Sequence, residues 1–373
     1  MVQRVMIIAG EASGDLHGSG LVRELKKQNP SVDVVGVGGD RMAREGMRVV
    51  YHIRELGFMG FLEVIKHLPF IKVMEHTLEQ IVKFKQPEVL VLIDYPGFNL
   101  RFARKVKRYG MKIVYYISPQ VWAWHASRIK KMKKLVDTML VVFPFEVALY
   151  EKEGIPAEFV GHPLLEVLES NFNRKNFCKR YGIDSGKRIL GLIPGSRKQE
   201  IERIFPVMLS AARMVAREED VEIVVAVAPT LTEEYFKTMY EAGDVRLVTA
   251  ATYDVMQHSA FAMVTSGTAT LETACFGTPM TVVYKTSWLT YIIGRLLVRV
   301  KNIGLVNIVA GKTIVPEFIQ HRATPESLAG KALEILRNGE RMNSMRKELA
   351  ALRKKLGTAG ASKRVARHVL QSA

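Results

Sequence analysis

The chain alternates short apolar runs of strand length with helical patterns, and it does so in two series separated by a pause. Strands that read as near-continuous Val/Ile/Leu, with helices between them, specify parallel sheets covered on both faces. In the first series the runs fall at residues 5–9, 32–37, 89–94, 112–118, 138–143 and 158–160, and a helix over 100–109 is closed by Gly110. Residues 163–182 interrupt the rhythm, and a second series follows at 188–193, 222–227, 246–249, 261–264 and 281–284. A chain of 373 residues exceeds the size at which one core stays economical, so two α/β domains are expected, facing a cleft. The boundaries expected are 1–165, 166–345 and a basic helical tail at 346–373.

The first apolar run leads into Gly10-Glu11-Ala12-Ser13-Gly14-Asp15-Leu16-His17-Gly18-Ser19-Gly20, read as a glycine-rich loop before a helix over 21–27. Glycines let the backbone approach a ligand, and a helix N-terminus offers free N–H groups. Glu11 and Asp15 would repel a pyrophosphate, and the spacing matches neither G-x-G-x-x-G nor a Walker A loop. A ligand rich in hydroxyls is the reading that uses Glu11, Ser13 and Asp15; a packing turn would leave them unexplained.

The run at 89–93 delivers Asp94 at its carboxyl end, followed by Tyr95-Pro96-Gly97-Phe98-Asn99. In open α/β sheets that end faces the ligand, so Asp94 is a candidate general base, with a turn or cap aspartate as the alternative. Residues 117–125 place Trp122, Trp124 and His125 in a loop, where tryptophans stack on sugars or fill a core. In the second series, Pro194-Gly195-Ser196-Arg197 before a helix combines a flexible loop, a hydroxyl and a guanidinium, which suits phosphate. Ser266-Gly267-Thr268 before another helix repeats the arrangement, and Glu272 one turn on is placed to accept ribose hydroxyls. Two such loops without a Walker lysine or an acidic metal cluster point to a nucleotide diphosphate held by dipoles and arginine. No histidine spacing resembles a metal set, and neither a metal nor a cofactor is expected.

The net charge of +17 attracts anions, whether lipid surface, phosphorylated metabolite or nucleic acid, and residues 341–373 hold nine Lys/Arg against Glu348 alone. The two cysteines, Cys178 and Cys275, form no C-x-x-C, and the start reads as a strand rather than an export signal, so a cytoplasmic setting is expected. Residues 58–82 break the sheet rhythm with Met59, Phe61, Leu62 and Ile65 among lysines and Pro69. A cationic apolar element of this kind lies in a membrane interface or forms a buried helix pair kinked at Pro69; residues 288–301 are a second one.

Taken in order, Gly10–Asp15, Met59-Gly60, Ile93-Asp94-x-Pro-x-Phe98-Asn99, Ser118-Pro119-x-Val121-Trp122-Ala123-Trp124, Phe143–Glu146, Gly161-His162, Pro194–Arg197, Ser266–Glu272 and Asn307-x-x-Ala310-Gly311 resemble the lipid-A-disaccharide synthase family over nearly the whole chain. The resemblance implies a GT-B architecture of two Rossmann-like domains and an inverting, metal-independent glycosyltransferase. It implies transfer from UDP-2,3-diacylglucosamine to 2,3-diacylglucosamine 1-phosphate (lipid X), giving the β-1,6-linked disaccharide 1-phosphate and UDP on the inner face of the inner membrane. Under it Asp94 is the base, and Gly195, Ser196, Arg197, Ser266–Thr268 and Asn307 hold UDP. Glu272 takes the ribose, Glu11, Ser13 and Asp15 face sugar hydroxyls, and Met59, Phe61, Leu62 and Ile65 meet acyl chains or an anionic membrane. His17 and His125 depart from the family pattern and receive no role. A UDP-sugar epimerase shares the fold but handles no acyl chains. A nucleic-acid-binding protein explains the charge and leaves both glycine loops and Asp94 idle.

Overall fold

A computed structural model describes residues 3–56, 67–119, 127–239, 243–286 and 302–372. The chain divides into two compact units, Met1–Glu166 with Leu356–Ala373, and Val167–Lys355. The first carries a seven-stranded parallel sheet in the order β3-β2-β1-β4-β5-β6-β7. Its strands are β1 Arg4–Ala9, β2 Asp33–Gly38, β3 Arg48–His52, β4 Val89–Ile93, β5 Lys112–Tyr116, β6 Thr138–Val141 and β7 Ala157–Phe159. The second carries a six-stranded parallel sheet, β10-β9-β8-β11-β12-β13, built from β8 Arg188–Ile193, β9 Val221–Val227, β10 Val245–Thr249, β11 Ser259–Thr265, β12 Met280–Tyr284 and β13 Glu317–Ile319. Residues 5–9 of β1 and all five of β4 are fully buried, as a sheet covered on both faces requires.

Both sheets are doubly wound: strand order runs outward from β1 one way and from β4 the other, and likewise from β8 and β11. The registers Ala9↔Ile93 and Val264↔Ile193 align the carboxyl ends of the central strands. Such reversals open a crevice at that edge, and ligands of this architecture bind there. Two strands, β3 and β13, carry no clear apolar run. They are edge strands with largely half-exposed residues, so little hydrophobic pattern was needed to form them.

The expected loop at 10–20 is instead the start of a helix, Ala12–Gln28. Its glycines serve close packing rather than ligand approach. A Cβ on Gly18 would stand 2.7 Å from Met42 Sδ, and one on Gly20 would stand 2.5 Å from Ser362 Oγ. Glycine weakens a helix by about 1 kcal/mol relative to alanine, yet here only glycine lets the neighbours in.

Ser362 belongs to the final helix, Ala361–Gln371, and its N–H and hydroxyl both donate to the Glu166 carboxylate, at 2.8 and 2.5 Å. The tail at 346–373 therefore does not stand apart. Helix Gly339–Lys355 buries Met345, Leu349 and Leu352 within the second unit, while Ala361–Gln371 buries Val365, Ala366 and Val369 within the first. Each is amphipathic, with most of its basic residues on the outer face, while Arg353 donates to Cys275 O at 2.8 Å and Arg364 to Val160 O at 2.7 Å.

Of the element at 58–82, residues 57–66 lie outside the described residues, Met59, Phe61, Leu62 and Ile65 among them; so do 120–126 and 287–301. The remainder forms helix Leu68–Lys85, with Pro69 in its first turn, where a missing N–H costs nothing, and not at a kink. Ile71, Met74, Leu78 and Val82 face the core, while Val73 and Phe84 stay 59% and 72% exposed. No helix among the described residues is long and apolar enough to cross a membrane.

Candidate active site

At the first reversal, β1 runs through Gly10 to Glu11, and β4 through Ile93 to Asp94 and Tyr95. Gly10 has no room for a side chain, since a Cβ there would lie 2.3 Å from the Tyr95 ring. Asp94 and Tyr95 both adopt left-handed backbone, φ 45° and 44°. Non-glycine residues hold that conformation at a cost on the order of 1–3 kcal/mol each, and such residues concentrate at functional sites. Partial burial, reinforced by the charge of Glu11, pushes the Asp94 carboxyl up to about 6, against the pull of the Tyr95 backbone N–H. A carboxylate so placed is a competent proton acceptor near neutral pH.

Glu11 and Ser13 are exposed beside it, but Asp15 is not. Its carboxylate is buried and accepts from the backbone N–H groups of Gly39, Arg41 and Met42 at 2.7, 3.2 and 3.1 Å. Asp15 thus fastens the chain after β2 to helix Ala12–Gln28, and its oxygens are spent on backbone rather than sugar.

His17 and His162 meet edge to face at 6.3 Å. Burial lowers His17 to about 4, with Arg41 adding to the effect, and lowers His162 to about 3, so both are neutral at pH 7. Two family motifs also join here: the Ser118 hydroxyl donates to Glu146 at 2.5 Å, and Glu146 in turn accepts from the Phe143 N–H at 3.2 Å. Trp122, Trp124 and His125 lie outside the described residues.

At the second reversal, the loop after β8 turns at Gly195, φ 102°, and Arg197 caps helix Lys198–Glu218. The loop after β11 is beside it, as a Cβ on Gly195 would touch Thr265 Cγ2 at 3.0 Å. Thr265 Oγ1 is buried without a hydrogen-bond partner among the described residues. Ser266 donates to the Ile303 carbonyl at 3.2 Å, and Gly267 caps helix Thr268–Cys275, whose first N–H groups have no partner within the helix. Arg197 pairs with Glu200 at 3.0 Å in an exposed bridge, which water screens and an anion can displace. Tyr284, ending β12, feels both charges.

Glu272 stands one turn into the Thr268–Cys275 helix, and burial raises its carboxyl to about 7. No hydrogen bond reaches that carboxyl from the described residues. Asn307 differs. It is fully buried, its Nδ2 donating to Val315 O and Glu317 Oε1 at 2.9 and 2.7 Å, and its Oδ1 accepting from Ile314 and Val315 N–H at 2.7 and 3.0 Å. Glu317 in turn accepts from the Ile303 and Gly304 N–H groups at 2.9 and 3.0 Å. Asn307 therefore braces the chain that carries the Ser266 acceptor, and has no atom left for UDP. Among the described residues, no cluster of three or more His, Cys, Asp or Glu is arranged to hold a metal.

Among solved structures, a kitacinnamycin glycotransferase matches with a TM-score of 0.70 at 14% identity, covering 100% of this chain and 99% of that one. A UDP-GlcNAc 2-epimerase from Neisseria meningitidis matches with a TM-score of 0.68 at 13% identity, covering 99% and 100%. At such identities the likeness is of fold, the GT-B pairing of two parallel α/β sheets. Sequence relatives are far nearer. The lipid-A-disaccharide synthase of Geobacter sulfurreducens is 43% identical over 99% of this chain and 97% of its own. That of Nitrosococcus oceani is 43% identical over 97% and 94%, and that of Coxiella burnetii 37% over 98% and 97%. The family model for lipid-A-disaccharide synthetase spans residues 5–370. With both reversals furnished as described and this likeness running from end to end, the chain belongs to the lipid-A-disaccharide synthase family.

Proposed function

We propose that this glycosyltransferase joins UDP-2,3-diacylglucosamine to lipid X, forming the β-1,6-linked disaccharide 1-phosphate and releasing UDP. Asp94 takes the proton of the acceptor 6-hydroxyl. The freed oxygen attacks the anomeric carbon, the bond to the diphosphate breaks, and the centre inverts without a covalent enzyme intermediate. Glu11 and Ser13 accept or donate hydrogen bonds to sugar hydroxyls beside Asp94, and Asp15 holds their helix in place. Negative charge growing on the diphosphate meets the Arg197 guanidinium and the N-terminus at Ser266, Gly267 and Thr268, with Gly195 and Ser196 leaving room for it. Glu272 accepts the ribose hydroxyls. The observation that carries this reading is the contrast between the two reversals, a largely buried carboxyl with raised affinity for protons at one and an arginine with a helix N-terminus at the other.

The test is incubation with both lipid substrates and measurement of UDP. UDP is expected only when the acylated acceptor is present; interconversion of the UDP-sugar without an acceptor would favour an epimerase instead. Arg197→Ala is expected to raise the KM for the nucleotide sugar by about 10- to 100-fold, the loss of one charge-assisted hydrogen bond of about 1.5–3 kcal/mol. An unchanged KM in steady-state kinetics would remove Arg197 from the diphosphate.

The same proposal places the enzyme on an anionic membrane surface. The charge of +17 and the exposed Val73 and Phe84, flanked by Lys72, Lys83 and Lys85, support it.

A further inference from the structure

Two side chains converge on Asp94, and they reach its backbone rather than its carboxylate. The Tyr115 hydroxyl donates to the Asp94 carbonyl oxygen at 2.6 Å. Asn99 Nδ2 donates to the same oxygen at 2.7 Å and to the Ile93 carbonyl at 3.3 Å. Both lone pairs of the Asp94 carbonyl are thereby engaged, while the Asp94 N–H donates to Tyr116 O at 3.3 Å, continuing the β4–β5 ladder. The peptide unit between Asp94 and Tyr95 is held from both sides, in the left-handed conformation those two residues share.

Neither donor is needed by the element that bears it. Tyr115 is fully buried in β5, where a phenylalanine ring would fill the same space. Asn99 lies inside helix Pro96–Val106 and is fully buried, its own N–H already bonded to Tyr95 O at 3.2 Å, and its Oδ1 has no hydrogen-bond partner among the described residues. A buried amide with an unmatched oxygen is costly, and it is kept where the other end does something specific. A left-handed pair of non-glycine residues persists only where its surroundings over-determine it. Gly10 supplies the third restraint by letting the Tyr95 ring lie against β1.

We propose that Tyr115 and Asn99 are positioning residues, which lock the turn after β4 so that the Asp94 carboxyl is presented to the acceptor hydroxyl. This rests on the reading of Asp94 as the base. Misplacing a catalytic group by about 1 Å costs on the order of 10²-fold in rate. In the full-length enzyme, Tyr115→Phe is therefore expected to lower kcat by about 10- to 100-fold with the KM for the nucleotide sugar unchanged. The acidic limb of the kcat/KM profile should move to lower pH, because a relaxed turn admits water to the carboxyl. Asn99→Ala, at a helical position that suits alanine, should reproduce the pattern and serves if Tyr115→Phe does not fold. Combining Tyr115→Phe with Asp94→Asn should lose no more activity than Asp94→Asn alone.

A kcat per folded molecule and a pH limb at wild-type values, with only a lowered Tm, would overturn the positioning role. So would an additive further loss in the double variant. If Asp94→Asn itself turned over at the wild-type rate, the base assignment would fail instead, and the two failures are separable in one set of proteins.

Discussion

Asp94→Asn is expected to lower kcat by about 10²- to 10⁴-fold, the range supplied by a positioned general base, with UDP affinity unchanged. Asparagine tolerates left-handed backbone as well as aspartate does, so the turn and its neighbours should survive the substitution. In the wild-type enzyme kcat/KM should rise with pH through about 6, where the Asp94 carboxyl ionises. The same shift has a stability consequence with a definite sign. The folded chain holds a proton on Asp94 between its ordinary value of 3.8 and about 6 that the unfolded chain has released. The stability this confers is fully present below the unfolded value and is lost as pH rises through the folded one. Asp94→Asn should thus unfold at a higher temperature than wild type above pH 6 while being nearly inactive. Thermal unfolding and UDP release measured across pH on the same preparations check both halves; a variant that is active, or less stable at pH 7, contradicts the assignment.

Asn307→Ala is expected to cost about 4 kcal/mol of stability, because four groups lose a buried partner at about 1–3 kcal/mol for each one left unsatisfied. In a unit of this size that corresponds to a fall of roughly 10 °C in Tm. Any loss of nucleotide binding should follow from the chain at 302–304 and Ser266 moving, and should be partial in the folded fraction. Calorimetry with and without UDP separates the possibilities. An unchanged Tm together with abolished UDP binding would return Asn307 to the ligand.

Residue by residue, what could be read in advance follows a pattern. The positions of Asp94, Arg197 and Ser266–Thr268 after the carboxyl ends of strands could be read in advance because each follows an apolar run, and that end is where such folds place chemistry. Asp15 and Asn307 sat among the same motifs and were assigned ligands, yet both are consumed internally. Their partners lie 24–27 and 7–10 residues away, in segments whose approach no local pattern announces. The glycines at 14, 18 and 20 were misread for a related reason. Low helix propensity says loop, but close packing against Met42 and Ser362 overrides it. Tyr115 left no signal at all, since an aromatic residue in a strand is ordinary and only its hydroxyl partner makes it distinctive.

Hydrophobic periodicity by itself determined where eleven of the thirteen strands lie, that they run parallel in two sheets, and which loops stand at their carboxyl ends, because burial on both faces demands unbroken apolar runs; the edge strands β3 and β13 escaped it. Only the tertiary structure decided which polar side chains at those ends remain unpaired. Among the described residues the Asp94 carboxyl meets only the Tyr95 N–H and the Glu272 carboxyl no hydrogen bond, both raised by burial, whereas Asp15 is saturated by backbone N–H groups and Asn307 by backbone and Glu317. Hydrogen bonding saturates over a few ångströms in three dimensions, and that proximity is fixed when distant segments meet.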